Sequence, residues 1–311
     1  MARIVIAEFM DEGAVEQLRA VHDVLYDPLL VDEPSQLLQQ AATADVLIVR
    51  NRTQVRGEML AALSKCRVIG RLGVGLDNID VAGCRARDIQ VIPATGANAQ
   101  SVAEYVVATA MLLLRGAYLS SAEVAAGKWP RNALANGRET AGKTLGIVGF
   151  GSIGQFTAQL AGAVGMQVLA FDALLDPADP AWAAAVAQPA SLDEVVGRAD
   201  VVSLHLPLLD STRGLFDAQR LAAMKPGAVL INTSRGGIVD EPALAIALKS
   251  GQLGGAAIDV FEAEPLPAAP HFDNCPNLLL TPHIAGVSVE ANTRVSSLIA
   301  HKVLQALQPL P

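Results

Sequence analysis

The chain has 311 residues, 51% of them hydrophobic and 17% charged, with a formal net charge of −8 and three cysteines. That is apolar material for two domain-sized cores, and the acidic balance excludes an extended nucleic-acid surface, which needs a basic stripe. Cys66, Cys84 and Cys275 are odd in number, widely spaced and without a C-x-x-C pair, so reduced structural thiols are expected, with no disulfide and no metal site.

From Met1 the sequence runs straight into Arg3-Ile4-Val5-Ile6, without the charged start, apolar core and cleavage site of a secretory signal; a cytoplasmic protein is expected. Short β-branched runs at 3–7, 23–26, 45–50, 67–71 and 90–93 read as strands alternating with helices, already a small doubly wound sheet. Arg50 and Arg71 fall at the carboxyl ends of two of these strands, where ligands of parallel sheets collect. A net-acidic protein gains little from cations at that rim unless an anion is drawn there; the alternative is solvated surface arginine, which is preferred for Arg52. Gly73-Val74-Gly75 follows a strand and reads either as a tight turn or as a backbone nest for a carboxylate. A long helix over about 101–114, with Asn98 as its start, is interrupted by Glu104 and falls short of the roughly 20 apolar residues a membrane span needs. It is expected to be buried, and no membrane partner is expected.

A second series of strands follows at 145–149, 167–172, 200–206, 228–233, 256–260 and 278–281, making a second α/β unit. Its first strand opens into Gly149-Phe150-Gly151-Ser152-Ile153-Gly154, a G-x-G-x-x-G turn at the start of a helix. Gly149 permits the tight turn, Gly151 admits a pyrophosphate close to the backbone, Gly154 lets helix and strand pack, and the helix N-terminus faces the phosphates. Asp172 ends the next strand near the spacing at which a carboxylate binds the ribose hydroxyls and repels a 2′-phosphate, so the cofactor is expected to be NAD. Thr233-Ser234-Arg235-Gly236-Gly237 follows a later strand, where the Arg235 fork can meet an anion or form a surface salt bridge. His283 reads either as a loop histidine or as an acid–base group, with His205 as its rival; His22, His271 and His301 read as structural. Residues 173–190 form a Pro/Ala-rich connection without an assigned structure, and 290–307 reads as an amphipathic helix with no strand to follow it.

Together with the Gly149 turn, Asn98-Ala99-Gln100-Ser101-Val102-Ala103-Glu104, Asn232 through Asp240, Asp259-Val260-Phe261-Glu262-Ala263-Glu264-Pro265 and Thr281-Pro282-His283-Ile284-Ala285-Gly286 make the chain resemble the D-isomer-specific 2-hydroxyacid dehydrogenases over nearly its whole length. The resemblance implies two Rossmann-like domains, an NAD-binding domain over 99–283 inserted into a split substrate domain of 1–98 and 284–311, and a homodimer built through the NAD domains. It places the substrate-anchoring arginine on Arg235, the acid partner on Glu264 and the catalytic imidazole on His283. It assigns cofactor contacts to Gly149, Gly151, Ser152, Ile153, Gly154, Asp172, His205, Pro207, Thr212, Thr233, Ser234, Asp259 and Gly286, the last two at the nicotinamide carboxamide. Arg50, Arg71, Gly73, Val74, Gly75, Asn98 and Arg235 are the expected substrate-binding residues. Within the family the chain is most similar to the phosphoglycerate-dehydrogenase branch, through Val49-Arg50-Asn51-Arg52-Thr53, Gly70-Arg71-Leu72-Gly73 and Gly127-Lys128-Trp129. Its opening, Ile6-Ala7-Glu8-Phe9-Met10-Asp11-Glu12 and Leu25-Tyr26-Asp27-Pro28, resembles sulfolactate dehydrogenases. The expected substrate is therefore a small 2-hydroxy or 2-oxo acid with a distal anionic group, of 3-phosphoglycerate or sulfolactate type. Without the C-terminal regulatory extension of longer members, feedback-regulated serine biosynthesis is not expected. A different class with this fold is an NAD-sensing corepressor that binds partner proteins; turnover separates the two.

Overall fold

The computed structural model describes residues 1–308. Its contacts divide the chain into two compact units, one formed by Met1–Asn98 with the chain from Val287 onward, the other by Ala99–Gly286. Each is a parallel sheet covered by helices on both faces, the doubly wound α/β architecture.

The first unit runs β1 (Arg3–Ile6), α1 (Glu12–Arg19), β2 (Asp23–Tyr26), α2 (Pro34–Ala41), β3 (Val46–Val49), α3 (Gly57–Ala62), β4 (Val68–Arg71), α4 (Val81–Arg85) and β5 (Gln90–Pro93). The sheet order is β2-β1-β3-β4-β5, every pair parallel. Residues 4–6 of β1 and all of β3 are buried on both faces, which is why both read as unbroken apolar runs. The terminal helix, Val289–Ala306, is N-capped by Ser288 and buries Ala291, Val295, Ile299 and Val303, a stripe at helical spacing. That stripe lies on α1 and β4, where Gly70 makes room: a Cβ there would stand 2.8 Å from Ile299 Cγ2.

The second unit starts with α5 (Ala99–Arg115), two residues earlier than the sequence pattern suggests, and α6 (Ser121–Ala125). It continues through β6 (Thr144–Val148), α7 (Ser152–Ala163), β7 (Gln167–Phe171), α8 (Pro180–Ala184), β8 (Gln188–Pro189), α9 (Leu192–Arg198), β9 (Val201–Leu204), α10 (Ala218–Ala223), β10 (Ala228–Asn232), α11 (Glu241–Lys249), β11 (Leu253–Ile258) and β12 (Leu278–Leu280). The sheet order is β12-β11-β10-β9-β6-β7-β8. α5 buries Val102, Val106, Ala110 and Leu113 against this unit's core, and no single helix among the described residues is long and apolar enough to cross a membrane. The Pro/Ala-rich connection contributes an edge strand, β8, that its sequence does not announce, because two residues ending in Pro189 carry no periodicity. It also contributes Trp182, whose ring stacks on Phe150 at 4.4 Å.

In each sheet the strand order reverses beside the first strand, between β1 and β3 in one and between β6 and β9 in the other. Open parallel sheets bind ligands outside the carboxyl ends of the strands at that reversal. Those loops hold Glu8, Phe9 and Arg50 in the first unit, and the glycine turn and His205 in the second.

Candidate active site

β6 delivers the chain into Gly149 at φ 97°, a backbone conformation that favours glycine, and a Cβ at Gly149 would stand 2.3 Å from the His205 carbonyl oxygen. A Cβ at Gly154 would stand 2.4 Å from the Gly149 carbonyl. Both glycines are therefore demanded by the protein's own packing. Gly151 differs, because it has ordinary φ and a Cβ there would meet nothing within 4 Å. The missing side chain leaves the backbone open to a group outside the chain. α7 begins at Gly151 with no side-chain cap, whereas α8, α9, α10 and α11 are capped by Asp179, Ser191, Asp217 and Asp240. Its first amides, at Ser152 and Ile153, are left for an anion. The buried Thr233 hydroxyl at the end of β10 has no hydrogen-bond partner in the protein. An uncapped helix start over an open glycine and an orphaned hydroxyl on the same sheet fit a dinucleotide.

Asp172 ends β7, as a ribose-binding carboxylate must, yet its oxygens already accept the amides of Phe150 (2.7 Å) and Leu174 (2.8 Å). It thus fixes the backbone of the glycine turn and of the loop that follows β7. Thr212 laces its own loop, donating to the Pro207 carbonyl at 2.7 Å and accepting from the Leu209 amide at 2.8 Å. His205 lies 3.0 Å from Ser203 Oγ, and burial pushes its imidazole down to about 4. A ring kept neutral by burial is a poor proton donor at physiological pH, which favours His283 over it.

Three adjacent parallel strands, β10, β11 and β12, end in the remaining loops. Asn232, buried at the end of β10, donates to the Arg235 carbonyl (3.0 Å) and accepts from the Ser234 amide (3.1 Å) and hydroxyl (2.8 Å). Arg235 Nη1 donates to the Ser234 carbonyl at 2.6 Å. Gly236 lets this loop touch the next: a Cβ there would stand 1.8 Å from the Phe261 carbonyl oxygen. Glu264 is held by the Phe261 amide on Oε1 (2.9 Å), and its Oε2 receives His283 Nδ1 at 2.7 Å. With a carboxylate opposite Nδ1, that nitrogen carries hydrogen, and Nε2 on the far edge of the ring is the one left to gain or lose a proton.

Asp259 sets this loop. It is 1% exposed, and its carboxylate accepts from Thr281 Oγ1 (2.6 Å), the Ile284 amide (2.8 Å) and the Ala285 amide (2.9 Å). The His283 amide donates to the Asp259 and Thr281 carbonyls, holding His283 at φ 56°, a conformation costing of order 1–2 kcal/mol for a residue with a Cβ. The sequence carry-over gave Asp259 to the nicotinamide carboxamide; its geometry makes it the clasp of the histidine loop. The same bonds carry Ile284 and Ala285 with the second unit, which runs to Gly286. Tyr105 of α5, also unforeseen, hydrogen-bonds Thr281 Oγ1 at 2.7 Å.

In the first unit the Arg71 guanidinium folds back over Gly73, its Nη1 lying 1.5 Å from where a Cβ there would stand. Gly73 is buried, Val74 and Gly75 are half-buried, and Asn98 Oδ1 is buried without a protein partner. Arg52 lies exposed at the surface, as expected, and pairs there with Asp32. Arg50 is half-buried instead, and burial lowers its guanidinium from the ordinary value while Glu8 opposes the shift. Glu8, 3% exposed, escaped the sequence reading, although an acid directly after a buried strand was the available signal. Cys66 and Cys84 are buried free thiols, and burial pushes Cys66 up to about 11, leaving it protonated and inert. No cluster able to hold a metal occurs among the described residues.

A doubly wound sheet with a G-x-G-x-x-G turn at its reversal and a carboxylate–imidazole pair at its strand ends defines a dinucleotide-dependent oxidoreductase. Residues 107–285 match the family model for the D-isomer specific 2-hydroxyacid dehydrogenase NAD-binding domain. The chain belongs to that family, and it is an NAD-dependent 2-hydroxyacid dehydrogenase. It is 52% identical to the (S)-sulfolactate dehydrogenase of Chromohalobacter salexigens over 99% of both chains. It is 39% identical to the D-3-phosphoglycerate dehydrogenase of Mycobacterium bovis over 89% of this chain but 52% of that protein, so it spans about half of that longer relative. Among solved structures, a glyoxylate reductase from Paecilomyes thermophila superposes with a TM-score of 0.86 at 28% identity, covering 98% of this chain and 95% of that one.

Proposed function

We propose that His283, Glu264 and Arg235 carry the reaction and that the substrate is a 2-hydroxy acid bearing a second anion at its far end, of sulfolactate or 3-phosphoglycerate type. Bound NAD supplies the hydride acceptor in oxidation and, as NADH, the donor in reduction. His283 Nε2 takes the proton of the 2-hydroxyl in one direction and returns it to the 2-oxo oxygen in the other. Glu264 keeps the ring oriented through Nδ1. Arg235 clamps the 2-carboxylate with its planar fork and polarises the developing carbonyl. The observation that carries this reading is the 2.7 Å contact between His283 Nδ1 and a Glu264 already fixed by the Phe261 amide.

The second unit is the NAD-binding domain, and the first serves as the substrate domain, with Arg71, the Gly73–Val74–Gly75 turn and Asn98 binding substrate and Arg50 meeting the distal anion. Two kinds of relative support that anion, one named for sulfolactate and the other for phosphoglycerate. A homodimer is supported by the exposed Tyr118, Leu119, Val124 and Trp129 on one stretch of the second unit. A cytoplasmic enzyme without membrane or nucleic-acid partners is consistent with the acidic charge. The test is kcat/KM for sulfolactate, phosphoglycerate, malate and lactate with the wild type and Arg50→Ala. A charge-assisted bond of about 1.5 to 3 kcal/mol corresponds to roughly a ten- to hundredfold preference. Lactate used as well as the doubly charged acids, or an equal penalty on all four from Arg50→Ala, overturns the distal-anion assignment.

A further inference from the structure

Arg50 is mounted from two ends of the sequence. Its Nη2 donates to Asn292 Oδ1 at 2.8 Å, and its guanidinium carbon lies 5.8 Å from the centre of the Phe9 ring. The backbone beneath is fixed as well. Glu8 accepts the amides of Arg50 (2.8 Å), Thr53 (3.0 Å) and Arg52 (3.1 Å), and Asn78 Nδ2 donates to the carbonyls of Thr53 (2.7 Å) and Arg50 (3.2 Å). Asn292 lies in the first turn of the terminal helix, whose start is fixed by the Ser288 cap and by the Asn292 amide on the Ser288 carbonyl.

The partners of the two arginines in this loop differ in charge. Arg52 is tied to Asp32, a carboxylate that cancels its charge at the surface. The side chain of Arg50 is tied to an amide oxygen, which takes one of its five N–H donors and leaves the charge in place. A long side chain otherwise samples many rotamers, and the loss of that freedom weakens any contact it makes. The amide and the aromatic ring hold the fork in one arrangement before an anion arrives.

We infer that Asn292 is a specificity-determining positioning residue, holding the Arg50 fork in place for a substrate's distal sulfonate or phosphate without neutralising it. The inference rests on the distal-anion role of Arg50 given above. Asn292→Asp tests it most sharply, because the near-isosteric carboxylate strengthens the contact to Arg50 while cancelling its charge. The expected result is a fall of roughly tenfold or more in kcat/KM for sulfolactate, expressed mainly in KM. Lactate efficiency, measured at high concentration, stays within about threefold, and the thermal midpoint and NADH affinity are not lowered. Asn292→Ala gives a smaller loss with the same selectivity, from a looser fork. If Arg50→Ala is selective for sulfolactate but Asn292→Asp leaves the sulfolactate-to-lactate ratio unchanged, or lowers both alike, the positioning role is overturned and the distal-anion reading stands. If Arg50→Ala is not selective, that reading falls and takes this inference with it.

Discussion

The two units are wound by the same rules and place their functional groups at the same end of their sheets, but they equip that end differently. In the second unit the strand ends carry acids and glycines whose positions are over-determined: Asp259 takes three donors, Asp172 two, and Gly149 and Gly154 are packed against backbone. In the first unit the strand ends carry arginines, with one buried acid, Glu8, gathering the loop beneath Arg50. Under the function proposed above, proton transfer to or from the substrate's 2-oxygen requires an imidazole fixed at a stated place, and the second unit, which carries His283, is rigidly laced. Under the same proposal, recognition of a distal anion requires charge that has not been cancelled, and the first unit holds the Arg50 guanidinium on a neutral amide oxygen. On that reading, reaction class is written in the second unit and substrate choice in the first.

The largest expected effect separates the proton from the cofactor. His283→Ala should lower kcat by about 10²- to 10⁴-fold, the usual worth of a positioned acid–base group, while the dissociation constant for NADH, read by fluorescence titration, stays within about twofold. A comparable loss of NADH affinity would mean that the histidine loop belongs to the cofactor grip, and the comparison would have to be redrawn. Next in size is a contrast inside the glycine turn. Gly149→Ala forces a Cβ to within 2.3 Å of a carbonyl oxygen at positive φ, so the thermal midpoint should drop by several degrees. Gly151→Val meets open space, so the midpoint of the cofactor-free protein should hold while NADH binding is lost. Equal destabilisation by both would show that Gly151 serves the fold.

How much of this was legible in the sequence follows from the range of the signals involved. The glycine turn, the alternation of buried strands with helices and the Arg235, Glu264 and His283 segments are local patterns, and a chain read residue by residue displays them. What escaped depends on distance. Asp259 is singled out by resemblance as a nicotinamide contact, but its hold on the histidine loop shows only when its three donors, 22 to 26 residues later, are seen on it. Asn292 is an unremarked helix residue until it meets Arg50, 242 positions away. β8 fell below any periodic signal because two residues cannot show one. Arg52 was read as a surface residue and is one, but nothing local distinguished its carboxylate partner from the amide that holds Arg50.

Glu264→Gln should be milder than loss of the imidazole, because the amide keeps one oxygen that can still accept from the Phe261 amide or from the ring, though not from both. The Glu264 carboxylate, 2.7 Å from Nδ1, fixes the ring's orientation and leaves Nε2 for the substrate. Loosening that hold should lower kcat by about tenfold while the dissociation constant for NADH stays within about twofold. An unchanged kcat refutes the pairing.

The smallest expected effect concerns another histidine of this unit, and it asks whether burial keeps His205 neutral. Burial pushes the His205 imidazole down to about 4 from the ordinary 6.5. Above pH 6.5 neither the folded nor the unfolded chain protonates it, and the stability it confers is complete. Between 6.5 and 4 the unfolded chain takes up a proton that the folded chain refuses, so stability falls with the pH and levels off only below 4. His205→Gln removes that dependence. Urea midpoints of the two proteins, measured from pH 4 to 8, should differ by a constant amount above 6.5 and converge as the pH falls toward 4, because only the wild type loses this contribution. A difference that stays flat throughout would mean that the folded chain protonates His205 as readily as the unfolded one. His205 would then return as a second candidate for the proton that we assign to His283.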